Sequence, residues 1–212
     1  LLGYKEEAAH IPFGLFFLPE GKMSTRQGRI IFLEELLDEV VALAEKTINE
    51  KNPELKNKKK VAEEVGIGSV IFRDLSHDRI RDVVFDKDKV LDFNGETGPY
   101  IQYTNARANS ILKKAGKLGK PDYTKLEMPQ EQRLATLLSE YPNTLEDAAA
   151  HYKPSVLARY LIVLAQAFND FYQNCNCIKE QDPKLRNSRL KMVAATSQVL
   201  ENGLDILGIK AP

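Results

Sequence analysis

A short polar loop near the start of the 212-residue chain carries residue types that suit phosphate chemistry. The string KMSTR, residues 22–26, lies between Gly21 and Gly28, two glycines that would let it hinge. A lysine ammonium can stabilise the charge that develops on pyrophosphate when a carboxylate attacks the α-phosphate of ATP. A serine hydroxyl can donate to a phosphate oxygen, and a methionine can anchor the loop in an apolar pocket. The alternative is a solvated loop. The position of KMSTR between an apolar strand and an acidic amphipathic helix favours the interpretation as a phosphate-binding loop.

Further along, two tyrosines and an arginine share one helix face. Tyr100, Tyr103 and Arg107 are spaced i, i+3 and i+7, whereas Ile101 and Ala108 mark another face. Unpaired RNA bases stack on aromatic rings and guanidinium planes, so an exposed face of this kind would suit RNA. The equal alternative is that both tyrosines pack in an interdomain seam and Arg107 pairs with a carboxylate.

Composition excludes several classes of protein. No run approaches the ~20 apolar residues that span a bilayer, and no secretion signal precedes the first element, so we expect a cytoplasmic protein with no membrane partner. Cys175 and Cys177 lack the further ligands of a zinc site, and we expect plain thiols and no metal site. Net charge is −4 for residues 1–97 and +4 for residues 98–212. The basic second half could attract phosphates, although so small an imbalance is also common in proteins that have no such partner.

The elements that must position these residues are mainly helices. A strand over 10–18 and the loop precede an amphipathic helix over 34–51, a basic patch KNKKK and a short helix to residue 65. VGIGSVIF fits a buried helix or a strand, and residues 80–86 and 90–93 predict a β-hairpin. Helices are then predicted over 98–115, 129–140, 142–151, 154–174 and 184–201, with Gly203 and Gly208 in a short tail. The fold class is mainly α: a helical bundle after residue 97, preceded by a small α/β segment.

Several segments resemble the arginyl-tRNA synthetases, and they cover essentially the whole chain in order. GKMSTRQG resembles the second ATP signature of class I synthetases, and GETGPYIQYTNARANSIL resembles the junction motif of the arginine enzymes. VGIGSVIFRDLSHDR, LARYLIVLAQAFNDFY and LDILGI are also similar to segments of that family. The first class I signature is absent, since none of His10, His77 and His151 has its context. The chain also begins without methionine, and we interpret it as a piece of a longer protein.

The resemblance implies a role for each part. Lys22 and Ser24 would be catalytic, and Lys22, Met23, Ser24 and Thr25 would bind ATP, which the full-length enzyme uses with Mg²⁺. Residues 1–97 would hold the end of the catalytic domain and a stem-contact element, and residues 98–212 an anticodon-binding domain. The resemblance makes Tyr100, Gln102, Tyr103 and Arg107 candidates for contact with arginine-accepting tRNA. Arginine and ATP would bind through the catalytic half outside this chain, and no DNA partner is expected. The rival hypotheses are a freestanding helical tRNA-binding module and a structural helical domain with no RNA partner.

Overall fold

The computed structural model describes residues 3, 8–18, 21–22, 26, 32–84 and 95–212, with Phe16, Leu18, Lys22 and Lys51 described by their backbone alone. Within these ranges the chain is mainly helical, as predicted. In chain order the elements are β1 (Phe16–Leu18), β2 (Gly21–Lys22), α1 (Leu33–Lys51), α2 (Lys58–Leu75), β3 (Val83–Val84), α3 (Gly98–Ala115), a 3₁₀ turn (Tyr123–Lys125), α4 (Pro129–Ala150), α5 (Pro154–Asn174) and α6 (Pro183–Ile206).

The strands form a small sheet in the order β2-β1-β3. β1 pairs antiparallel with β2 and parallel with β3. The predicted strand over 10–18 is therefore shorter than expected. Of the predicted hairpin, residues 80–84 are described, and only Val83 and Val84 among them form a strand, β3. Gly14 donates its backbone N–H to the carbonyl of Arg79 at 2.6 Å. A Cβ at Gly14 would lie 2.3 Å from the carbonyl oxygen of Arg81, so glycine is required where these segments cross.

The first two helices pack against each other through their own core. Its buried members are Leu36, Val40, Ala44, Ile48, Ala62 and Val65. α2 runs without interruption through VGIGSVIF, so the ambiguous segment is helical and continuous with the predicted short helix before it. Gly66 allows the close approach, because a Cβ there would lie 2.9 Å from the Cα of Val41.

The larger core is centred on α5, as its broad apolar stripe predicts. Five residues of that stripe are at most 2% exposed: Leu157, Leu161, Leu164, Ala165 and Phe168. α3 contributes Ile101 and Ala108, and α6 contributes Leu190, Val193 and Leu200. Cys175 and Cys177 are buried free thiols at the end of α5.

The prediction of two helices over 129–151 is wrong, because α4 is one helix that contains Pro142. Proline removes one backbone hydrogen bond and crowds the preceding turn, at a cost of roughly 3 kcal/mol. The packing of α4 on α5 opposes that cost. The hydroxyl of Tyr160 donates to the carbonyl of Leu137 at 2.8 Å, and its ring lies 5.8 Å from that of Tyr141. Both contacts lie before Pro142, and beyond it Leu145 and Ala148 pack against the same core, so α4 is supported on each side of the proline.

The last helix is longer than predicted and includes Gly203, which was expected in the tail. A Cβ at Gly203 would lie 2.5 Å from Cδ2 of Leu161, so the glycine lets α6 pack closely on α5. The turn that follows uses Gly208, whose φ of 74° lies in the left-handed region. The tail then returns to the core, where Ile209 is 2% exposed.

A buried ion-pair cluster, here named the hub, joins α4 to α6 and was not predicted. Arg189 donates from Nε to Glu131 at 2.6 Å and from Nη1 to Glu180 at 2.7 Å. The same Nη1 donates to the carbonyl of Asn176 at 2.9 Å. Glu131 is fully buried and also accepts the backbone N–H of Met128 at 2.9 Å. The hub therefore satisfies a charge that would otherwise be isolated inside the bundle.

Candidate nucleic-acid interface

The predicted ATP loop is only partly within the described residues. Lys22 pairs through its backbone with Phe17 of β1, which places the start of the loop at the edge of the sheet. Met23, Ser24 and Thr25 lie outside the described residues, and Arg26 is exposed. The assignment of these residues to ATP binding stays a prediction.

The helix that presents the aromatic residues begins where the sequence predicts. Thr97 caps α3, with its side chain accepting the backbone N–H of Tyr100 at 3.3 Å, and Pro99 occupies the first turn. Tyr100 is partly buried, whereas the side chain of Tyr103 is 52% exposed. The cap therefore fixes the end of α3 from which the predicted face is presented.

Arg107 and Tyr103 contact each other on the exposed face of α3 and are here named the tyrosine–arginine unit. The guanidinium carbon of Arg107 lies 4.9 Å from the centroid of the Tyr103 ring, and Nη2 donates to the tyrosine hydroxyl at 3.3 Å. On its other side, Nη1 of Arg107 donates to Oδ1 of Asn169 at 2.7 Å. Among the described residues no carboxylate pairs with Arg107, whose partners are Asn169 and Tyr103, so the ion pair of the alternative interpretation is not found there. The contact of this face with RNA stays a prediction.

Asn169 of α5 is a member of the site that sequence reasoning missed. Its Nδ2 donates to the hydroxyl of Tyr100 at 2.8 Å and to Oγ1 of Thr104 at 3.2 Å, while its Oδ1 accepts from Arg107. One amide therefore orients both the tyrosine and the arginine of α3. The signal that the sequence offered for Asn169 was a polar residue beside the apolar stripe of a central helix.

Gln102 is not brought together with the other candidates. It is 1% exposed, and its Nε2 donates to the carbonyls of Glu64 at 3.1 Å and Lys210 at 2.7 Å. These bonds tie α3 to α2 and to the C-terminal tail. Within the described part of the chain, Oε1 of Gln102 has no hydrogen-bond partner.

A cleft of about 530 Å³ lies between α1, α2 and α3, beside the tyrosine–arginine unit. Ile48 and Val65 line it from the first two helices, and Tyr103 and Arg107 line it from α3. This volume falls within the ~300–1,000 Å³ typical of ligand sites. An apolar cleft edged by an exposed ring and a guanidinium can hold a planar, polar-edged group such as a nucleobase.

Two further properties concern metals and membranes. Across the described ranges, His, Cys, Asp and Glu side chains form no group of three or more that could hold a metal ion. None of the helices in the same ranges combines the length and apolar character that crossing a membrane requires.

Comparison with known proteins places the chain in a family. Residues 101–212 match the model of the DALR anticodon binding domain, and residues 2–87 match that of the class I tRNA synthetase (R) catalytic domain. The chain belongs to the arginyl-tRNA synthetase family. An arginine–tRNA ligase of Clostridium botulinum (strain 657 / Type Ba4) is 45% identical over 97% of this chain, and one of Halothermothrix orenii is 44% identical over 100% of it. The chain spans about 37% and 38% of the lengths of these two relatives.

Solved structures of arginyl-tRNA synthetases share the fold. The Thermus thermophilus enzyme superposes with a TM-score of 0.88 at 34% identity, covering 94% of this chain and 34% of that one. The Plasmodium falciparum enzyme gives a TM-score of 0.75 at 22% identity over the same shares, which is a likeness of fold alone.

Proposed function

We propose that this chain is the C-terminal part of an arginine–tRNA ligase, an enzyme that activates arginine with ATP and transfers it to tRNA. The observation that carries the tRNA-binding part of the proposal is the Tyr103–Arg107–Asn169 arrangement, because it presents an oriented ring and guanidinium on the exposed face of an anticodon-binding domain. The catalytic part rests on the match of residues 2–87 to the class I tRNA synthetase catalytic domain. In this account the helical bundle binds tRNA. The segment before it supplies the KMSTR loop.

The geometry supports contact with an unpaired base. Arg107 has five N–H donors, and its contacts with Asn169 and Tyr103 use two, so three remain for phosphate or base-edge oxygens and nitrogens. The half-exposed ring of Tyr103 can stack on a base that enters the adjacent cleft. Tyr100 supports the unit through Asn169. We do not include Gln102 in the contact set, because it is buried and holds α3 against α2.

The role of the first segment follows the family motif. Lys22 would meet the phosphates of ATP, with Met23, Ser24 and Thr25 closing over the nucleotide. The arginine pocket and most of the ATP site would come from the rest of the enzyme, and Mg²⁺ would accompany the ATP phosphates. We infer a cytoplasmic location, where translation uses this reaction. The alternative, a helical tRNA-binding module without catalysis, is disfavoured by the catalytic-domain match over residues 2–87.

Two substitutions on α3 test the binding site. Tyr103→Ala and Arg107→Ala should each raise the Kd of the full-length protein for arginine-accepting tRNA roughly tenfold. Base stacking on an aromatic side chain is worth about 1–3 kcal/mol, and a hydrogen bond from a charged group about 1.5–3 kcal/mol. Arg159→Ala is the matched control, because Arg159 is an exposed arginine on α5 outside the site. It should change the Kd less than about twofold. Equal effects of all three variants would remove the site from the account.

A further inference from the structure

The exposed face that carries Tyr103 and Arg107 continues along α3 as a stripe of four residues. The stripe consists of Tyr103, Arg107, Ser110 and Lys114, whose spacings of four, three and four residues return to one side of a helix. Tyr103, Ser110 and Lys114 are exposed and Arg107 is partly so, whereas Ile101, Ala108 and Ile111 face the core. The stripe thus presents a ring, a guanidinium, a hydroxyl and an ammonium in a row.

The length of the stripe corresponds to several nucleotides. Eleven residues separate Tyr103 from Lys114, which is about 16 Å at ~1.5 Å per residue. A nucleic-acid strand that advances ~3.4 Å per nucleotide would pass about five nucleotides over that distance. A base on Tyr103 and a phosphate on Lys114 could therefore belong to one loop and its adjoining stem.

Lys114 also lies at the more basic end of the bundle. Residues 113–133 and 176–191, here named the basic end, carry 11 basic and 5 acidic side chains, a net charge of +6. The remaining residues of 98–212 carry 4 basic and 6 acidic side chains, a net charge of −2. The basic end is one structural unit, because Gly119 donates to Asn187 at 3.1 Å and Arg186 donates to the carbonyls of Ala115 and Ile178.

We propose that Lys114 binds a backbone phosphate of the same tRNA whose unpaired base lies on Tyr103, so that the stripe is one RNA-contact surface. This inference rests on the proposed function. Within the described residues Lys114 is exposed and forms no ion pair, so its ammonium is available to a phosphate. Arg107 and Ser110 lie between the two ends and can donate to intervening phosphates. The positive field of the basic end draws the RNA backbone toward Lys114.

The test compares two adjacent lysines in the full-length protein. Lys114→Ala should reduce the slope of log Kd against log salt concentration by about 0.7–0.9, the value expected for loss of one phosphate contact. Lys113→Ala is the matched control, since Lys113 is equally an exposed lysine but lies about 100° around the helix from Lys114. It should change the slope by less than half as much. Lys114→Arg should retain the wild-type slope.

A second variant tests the middle of the stripe without removing a lysine. Ser110→Glu places a carboxylate between Arg107 and Lys114 and should weaken tRNA binding at least about fivefold at low salt, with the effect shrinking as salt rises. Equal slopes for the Lys114 and Lys113 variants would overturn the inference. If Tyr103→Ala weakens tRNA binding but Lys114→Ala does not, the inference about Lys114 would be overturned and the proposed function would stand. Wild-type protein that does not bind tRNA would overturn both.

Discussion

Replacing Arg189 with methionine should destabilise the bundle strongly, because it leaves a buried carboxylate without its partner. Arg189 is 7% exposed, Glu131 is fully buried, and their side chains meet at 2.6 Å. Breaking a buried ion pair by removing one member costs about 3–5 kcal/mol. With a urea m-value near ~2 kcal/mol per M, that loss lowers the unfolding midpoint by about 2 M. Urea unfolding followed by far-UV circular dichroism measures it.

A second substitution separates the buried charge from simple loss of packing. Arg189→Met combined with Glu131→Gln removes both charges and keeps an acceptor for the backbone N–H of Met128. This double variant should be more stable than Arg189→Met alone by at least about 1 kcal/mol. The control is Lys125→Met, which breaks the solvent-accessible pair with Asp182 and should cost no more than about 1 kcal/mol. A cost for Arg189→Met as small as that of this control, or a double variant less stable than Arg189→Met, would refute the explanation by a buried unpaired charge.

Three further predictions follow from other parts of the chain. Gly203→Ala should lower the free energy of unfolding by about 1–3 kcal/mol, because its methyl group would overlap Leu161, and an unchanged urea midpoint would refute that packing. Burial raises the pKa of the Cys177 thiol to about 12, above the ~8.5 of a thiol in the unfolded chain. The stability that the buried, protonated thiol contributes is therefore fully present below pH ~8.5 and is lost as the pH rises toward 12. The free-energy difference between wild type and Cys177→Ala should change over that window, and a constant difference would contradict the assignment. In the full-length protein, Lys22→Ala should slow ATP–pyrophosphate exchange roughly a hundredfold while leaving arginine affinity nearly unchanged, and a full exchange rate would remove Lys22 from the mechanism.

Much of the helical architecture was readable from local signals. Thr97 and Pro99 mark the start of α3 and Gly116 its end, and the apolar stripe of α5 places it at the centre of the bundle. The errors arose where packing outweighs a local preference. Pro142 lies inside α4 and Gly203 inside α6, because the helices they pack against stabilise a continuous helix. The helix propensity of a single residue does not include the stabilisation that comes from contacts with residues far away in sequence.

The candidate site was readable to the extent that it lies on one helix. Spacing alone placed Tyr100, Tyr103 and Arg107 on a common face of α3. Each residue of a helix turns by about 100°, so Gln102 lies about 100° around the helix from Tyr103 and off that face. Gln102 was a candidate only through the family motif. Asn169 is 62 positions from Arg107 in sequence, so their hydrogen bond depends on how α5 packs on α3. That relation is a property of the folded chain.

The most direct test of the central claim is the amino acid that the full-length protein attaches to tRNA. The protein should be incubated with ATP, Mg²⁺, unfractionated tRNA from the same source and each amino acid in turn, and the aminoacyl ester measured. We expect arginine alone to be esterified, and we expect Arg107→Ala to raise the KM for tRNA while Arg159→Ala leaves it unchanged. Attachment of a different amino acid, or of none, would contradict the central claim.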